Sequence, residues 1–302
     1  MPGRAAVRCG SSCRRRRRRC HLRRPPQSAA APRCRAVGCP GDDRPESRRR
    51  HRDLVRRRGG GAAVVLLHGS ALSRAIWRGL GYVRALEGFR VVRVDLRGHG
   101  RSDKPDEAGA YRMSRHVGDV LAVLDAERIE RAHVVGYSLG SRVAFSLAVA
   151  APARVASLTV LGGTYRPQRG EVAKVFFPGY LEALQTGRIE AFVDGLESAG
   201  KALDPSTRQA FLANDPAALA ACFTGTEDDP GLPEAVVAQL AVPALLMAGT
   251  RDPQRLADSR RAAALMPNAR FVELEGRTHA GTLAPAGPVL EELVPFLRAV
   301  PA

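Results

Sequence analysis

Lysine is nearly missing from this chain: of its 47 basic side chains, 44 are arginine and 3 are lysine. Aromatics are also scarce, at 5 % of 302 residues with one Trp, so Val, Leu and Ala must fill whatever core the 45 % apolar content allows. No apolar run approaches the roughly 20 residues that cross a bilayer, which excludes a transmembrane helix of the usual kind. Cysteine is all but absent after residue 60. Five of six lie before it (Cys9, Cys13, Cys20, Cys34 and Cys39), and only Cys222 lies beyond. No disulfide framework is implied, which suits a reducing cytoplasm. No pair of Cys-x-x-Cys units occurs, so a zinc module has little support and no metal site is expected.

The net charge of +17 is unevenly placed. Residues 1–60 hold 20 Arg and four acids (Asp42, Asp43, Glu46 and Asp53), a balance of +16, whereas the other 242 residues balance at +1. The body therefore carries no charge excess that would draw it to phosphate backbones, and nucleic acid is not the expected partner. The leader, with its run Arg14 to Arg19, shows neither helical nor strand periodicity and reads as disordered. Pro25-Pro26 follows the Arg run where a secretory signal would place an apolar stretch. A basic arm or an organelle-targeting peptide remains open for this segment. The preferred reading is translated GC-rich upstream DNA, in which case much of the leader is not a functional domain.

Residues 61–302 read as one domain of α/β class. Short apolar runs at Ala63–Leu67, Phe89–Val94, Ala132–Val135, Val155–Leu161, Val242–Met247 and Arg270–Leu274 each end at Gly, Asp or a turn. Between several of them lie stretches with helical spacing, at Ser114–Ile129, Leu139–Ala150 and Val289–Val300. Continuous apolar strands separated by helices predict a mostly parallel twisted sheet flanked by helices on both faces. Residues 165–241 interrupt the alternation and read as several short helices, a helical cap inserted over one end of the sheet. The cap holds Phe176, Phe177, Tyr180, Phe192, Phe211 and Phe223. Most are expected to form its own small core, with one or two facing a pocket beneath.

The stretch Gly136-Tyr137-Ser138-Leu139-Gly140 follows a strand run and opens a helix. A serine on such a turn is held in a strained conformation with its hydroxyl projecting, and glycine two residues to either side removes a clashing Cβ. A serine hydroxyl needs a base, and the base an orienting acid. In an open parallel sheet these belong at the carboxyl ends of later strands. Asp252 follows the apolar run ending near Gly249, and His279 follows Arg270–Leu274 and a loop. Ser138, Asp252 and His279 are therefore the candidate triad. Two backbone N–H groups are expected to hold the oxyanion, those of Leu139 and Ser70. His68, His99, His116 and His133 sit in loops, at a helix start or in a strand, and are weaker candidates for the base.

These segments, with Leu67-His68-Gly69-Ser70 and Asp95-Leu96-Arg97-Gly98-His99-Gly100-Arg101-Ser102, resemble the capped α/β-hydrolases over roughly residues 62–300. The resemblance implies an eight-stranded, parallel-dominated sheet with the cap after the sixth strand, the Ser-Asp-His triad and no cofactor. It also implies a pocket-side aromatic at Trp77; Tyr137, Phe176 and Phe177 are further pocket candidates. The family opens with two antiparallel strands, for which only His51 to Arg57 is available here. Ser141 stands where Gly or Ala is common, and a nucleophilic Ser argues against haloalkane dehalogenases and epoxide hydrolases, whose similar sheets carry Asp.

The expectation is a cytoplasmic serine hydrolase acting on a small or medium carboxylic ester, lactone or amide through an acyl-enzyme. A carbon–carbon bond hydrolase, an aminopeptidase, an acyltransferase and a perhydrolase use the same triad, and a ligand-binding receptor is the non-enzymatic alternative. Residues 165–241 carry 6 basic and 11 acidic side chains, which disfavours strongly anionic substrates such as CoA thioesters. The oligomeric state is not legible.

Overall fold

The computed structural model describes residues 61–302 apart from residue 202. The leader, the boundary drawn at residue 60 and the strand looked for at His51–Arg57 lie outside the described residues. From residue 63 onward strand and helix alternate. The order is β1 (Ala63–Leu67), α1 (Ala75–Gly79), α2 (Tyr82–Ala85), β2 (Arg90–Val94), α3 (Met113–Ala126), β3 (Ala132–Tyr137), α4 (Leu139–Ala150) and β4 (Val155–Leu161). Six short helices follow: α5 (Val172–Val175), α6 (Tyr180–Gln185), α7 (Ile189–Ser198), α8 (Pro205–Leu212), α9 (Pro216–Glu227) and α10 (Glu234–Val237). The chain then returns to β5 (Ala244–Gly249), α11 (Pro253–Leu265), β6 (Ala269–Leu274), α12 (His279–Leu283) and α13 (Gly287–Ala299).

All six described strands run parallel, in the order β2-β1-β3-β4-β5-β6. Strands β1, β3, β4 and β5 are buried along their whole length, as continuous apolar runs require in a sheet covered twice. Alternation sorts their side chains into two cores. Val65, Leu67 and Val134 pack with Val120, Val143 and Leu147 of α3 and α4 and with Ala262 of α11. Val64, Leu66 and Val135 pack on the other face with Trp77, Tyr82 and the Val289, Leu293 and Leu297 stripe of α13.

The strand order places the site. From β1 the chain moves outward to β2, then returns to the opposite side of β1 as β3 and continues away from it. Connections leaving the carboxyl ends of β1 and β3 therefore diverge, and a crevice opens between them at the switch point. The loop after β1 begins at His68, and the turn after β3 is Ser138.

Helices α5 to α10 all fall between β4 and β5, after the fourth of the described strands. The aromatic rings of this insertion form a cluster of their own: Phe176 meets Phe223 at 4.8 Å between centroids and Phe192 at 5.5 Å, and Phe177 meets Phe192 at 5.7 Å. Asp204 and Asp215 cap α8 and α9 by accepting from free amides of the first turn, each ahead of a proline. One polar bond joins the insertion to the β1 loop, from Asn214 Nδ2 to the Ala71 carbonyl at 2.9 Å.

Leu66 is fully buried in the central strand β1. Leu66→Ala is expected to cost about 2–5 kcal/mol, read as a lower urea midpoint at unchanged slope.

Candidate active site

Ser138 occupies the single residue between β3 and α4, with φ 52° and ψ −113°. A non-glycine residue in this region costs on the order of 1–3 kcal/mol and persists only where its surroundings hold it. The two glycines explain how they do. A Cβ on Gly136 would run into the Gly140 carbonyl and the Ser141 nitrogen. A Cβ on Gly140 would run into the carbonyls of Leu67 and His68. The first glycine closes the turn on itself, and the second lets α4 begin directly against the end of β1. Ser141, the departure from small residues, stitches the turn: its Oγ donates to the Gly136 carbonyl at 2.7 Å and accepts from Leu161 N–H at 3.2 Å.

The three candidate side chains come together from the carboxyl ends of β3, β5 and β6. His279 Nε2 lies 3.0 Å from Ser138 Oγ, and His279 Nδ1 lies 2.7 Å from Asp252 Oδ2. Asp252 stands immediately before α11, so its carboxylate sits at the positive end of that helix dipole. Tyr137 braces the histidine loop. Its hydroxyl donates to the His279 carbonyl at 3.3 Å and its ring tilts over the imidazole at 5.4 Å. Burial, with the Asp252 charge nearby, holds the Tyr137 phenol well above its ordinary range, so it stays a neutral donor.

Ser70 and Leu139 both line the recess that contains Ser138. Leu139 opens α4, where first-turn amides have no partner within the helix. The Ser70 amide is set by Ala71, whose φ of 60° is also left-handed. Two bonds clamp Ala71: its N–H donates to His99 Nε2 at 3.1 Å and its carbonyl accepts from Asn214. His68 makes the matching bond on the strand side, accepting from Leu96 N–H at 3.0 Å while Nδ1 donates to the Gly69 carbonyl at 2.8 Å. Each ring thus accepts at Nε2 from a backbone N–H and donates at Nδ1 to a backbone carbonyl, an arrangement only the neutral imidazole can make. Burial pushes His68 down to about 4 and His99 down to about 3.

Of the pocket candidates, Phe176 lines the recess, while Trp77, Tyr137 and Phe177 do not. Trp77 is fully buried under the β1 loop, edge-on to Tyr82 at 5.0 Å. Phe177 is packed beneath Gly195, where a Cβ would strike its ring, and belongs to the core of the insertion. Phe223, which sequence reasoning left in that core, lines the recess beside Phe176. Also unforeseen are Arg142 and Arg255, both buried and both lining it. Spacing could have found them: Ser138 to Arg142 and Asp252 to Arg255 are i to i+4 and i to i+3, one helical turn each. The recess opens to solvent. Among the described residues no cluster of three or more His, Cys, Asp or Glu could hold a metal ion, and no helix is long and apolar enough to cross a membrane. Cys222 is buried and unpaired, with its thiol pushed up to about 12.

Comparison with known proteins follows the same lines. A family model of the alpha/beta hydrolase fold matches residues 62–203. Rhodomycin D methylesterase DauP of Streptomyces sp. (strain C5) is 31 % identical over 277 residues, which span 78 % of this chain and 90 % of that protein. Epoxide hydrolase B of Mycobacterium tuberculosis (strain ATCC 25618 / H37Rv) is 45 % identical over 93 residues, 31 % of this chain and 26 % of that protein. The chain thus spans only about a quarter of that curated relative. Among solved structures, the enol-lactonase from Burkholderia xenovorans LB400 matches with a TM-score of 0.67 at 25 % identity, over 81 % of this chain and 96 % of that one.

The neutral histidines generate a pH prediction. Their folded pKa values lie below the unfolded value of about 6.5, so the unfolded chain takes up protons first. Stability from this source is complete above about pH 6.5 and is lost as pH falls towards 4, at about 1.4 kcal/mol per pH unit for each such histidine. Urea midpoints should drop steadily between pH 7 and 5, with a shallower slope in His99→Gln. A flat profile would rule out the neutral brace.

Proposed function

Because this chain belongs to the α/β-hydrolase fold family, we propose that it is a serine hydrolase cleaving a small or medium carboxylic ester, with lactones and amides as further substrates of the same chemistry. The observation that carries the reading is the relay from Asp252 through His279 to Ser138, at 2.7 and 3.0 Å.

In the proposed reaction Ser138 Oγ attacks the substrate carbonyl carbon as its proton passes to His279 Nε2. The carbonyl oxygen becomes an oxyanion held by the Leu139 and Ser70 amides, each contact of this kind being worth roughly 10²–10³ in rate. Asp252 fixes the imidazole and stabilises its cationic form. Collapse breaks the carbon–oxygen bond to the leaving alcohol, which receives the His279 proton. Water then gives a proton to His279 and attacks the acyl carbon, the bond to Oγ breaks, and Ser138 regains its proton as the acid leaves. One water is consumed for one acid and one alcohol, and every proton returns to where it began. No cofactor enters the scheme, and the enzyme is placed in the cytoplasm.

The nucleophile supports a carbonyl rather than an epoxide as the electrophile. Opening an epoxide with a serine oxygen would leave an ether, which water activated by a histidine does not cleave. The methylesterase and enol-lactonase relatives act by name on acyl–oxygen bonds. Val172, Val175, Phe176 and Phe223 give the recess an apolar stretch of wall, which supports an acyl chain on the substrate.

The test is turnover of nitrophenyl esters of graded chain length together with fluorophosphonate labelling. Ser138→Ala should lose labelling and at least roughly 10⁴ of kcat, and Asp252→Asn roughly 10⁴ of kcat. Labelling retained in Ser138→Ala would overturn the assignment of the nucleophile.

A further inference from the structure

The recess around Ser138 is lined by 14 residues, of which only Arg142 and Arg255 are charged; no acid faces it. Both guanidinium side chains are taken out of water, with relative exposures of 6 % and 5 %. Their partners leave donors over. Arg142 donates to the Arg166 carbonyl at 2.6 Å and pairs with Asp229, but its Nε has no partner. Arg255 donates to two neutral amides, Gln168 Oε1 at 2.7 Å and Gln254 Oε1, and no ion pair to it occurs among the described residues. Asp252, Asp258 and Glu171 carry opposite charge near Arg255 but form no hydrogen bond to it, and a buried guanidinium with donors left over is costly. Tethering Gln168 does not call for a permanent charge.

We infer that Arg255 and Arg142 form a carboxylate-binding subsite, and that the preferred substrate is an ester or lactone carrying a free carboxylate several bonds from the scissile carbonyl. The inference rests on the serine-hydrolase reading and narrows its substrate class. Geometry supports it in three ways. The arginines project from the first turns of α4 and α11, one turn beyond Ser138 and Asp252, so the subsite is built on the same rigid elements as the reacting groups. A guanidinium presents a planar fork of donors matched to a carboxylate, and the pair is strongest where water is excluded. One stretch of the wall, from Val172, Val175, Phe176 and Phe223, is apolar, which suits a methylene chain between the two polar ends. Of the acids in residues 165–241, Asp229 pairs with Arg142 and Glu171 lies near Arg255, but none lines the recess itself.

The test compares two substrates that differ only at the far end: the mono-4-nitrophenyl ester of adipic acid and 4-nitrophenyl hexanoate. The full chain is expected to favour the adipate ester in kcat/KM by at least about tenfold, mainly through KM. In Arg255→Gln the ratio should fall towards one, with partial recovery in Arg255→Lys. Reading the ratio within each variant cancels any general loss of folding or turnover. Hexanoate turned over as well as or better than adipate by the unaltered enzyme overturns the subsite while leaving the serine-hydrolase reading intact. A preference that survives Arg255→Gln overturns it too. No turnover of either ester and no fluorophosphonate labelling would instead remove the reading beneath it.

Discussion

The site depends on one close approach, the backbone of Gly140 against the last carbonyls of β1. Because no Cβ intervenes, α4 starts where β1 ends, and the turn carrying Ser138 is pressed against the loop carrying Ser70. That contact brings a hydroxyl from one strand and an amide from another to the same small volume. It also accounts for the strain at Ser138: the residue cannot relax to ordinary helical angles without pushing α4 into the Leu67 carbonyl. A second left-handed residue, Ala71, directly follows Ser70 and is clamped by His99 and Asn214. Each of the two loops that meet at the recess thus carries one strained residue, and the packed sheet beneath holds both.

The histidines show how a titratable residue serves best by not titrating. His68 and His99 accept from main-chain amides that have nowhere else to turn, and burial keeps them uncharged through the neutral range. Their edge-on contact at 5.2 Å joins the loop after β1 to the loop after β2. At His279 a carboxylate, rather than a carbonyl, faces Nδ1.

What the sequence made legible was whatever depends on local order. Continuous apolar runs marked the six described strands, with β4 and α4 at the residues expected. Glycine spacing marked the turn at Ser138, and the positions just past β5 and β6 singled out Asp252 and His279. What stayed hidden depends on which way a side chain turns once the fold has closed. Phe177 and Phe223 look alike in sequence, yet the first is locked under Gly195 and the second reaches the recess. The acid count of the insertion likewise said nothing of the recess, whose charged groups come from helices outside it. Arg142 and Arg255 stand among 44 arginines, which conceals their one-turn spacing from Ser138 and Asp252.

The recess draws its apolar wall from the inserted helices and both of its cations from the layer that packs on the sheet. On the proposed reading, two aspects of selectivity are therefore encoded in separate parts of the gene. Exchanging the insertion between relatives would transplant a preference for the shape and length of the acyl chain. The electrostatic preference would stay behind with the recipient, inherited together with the catalytic strands.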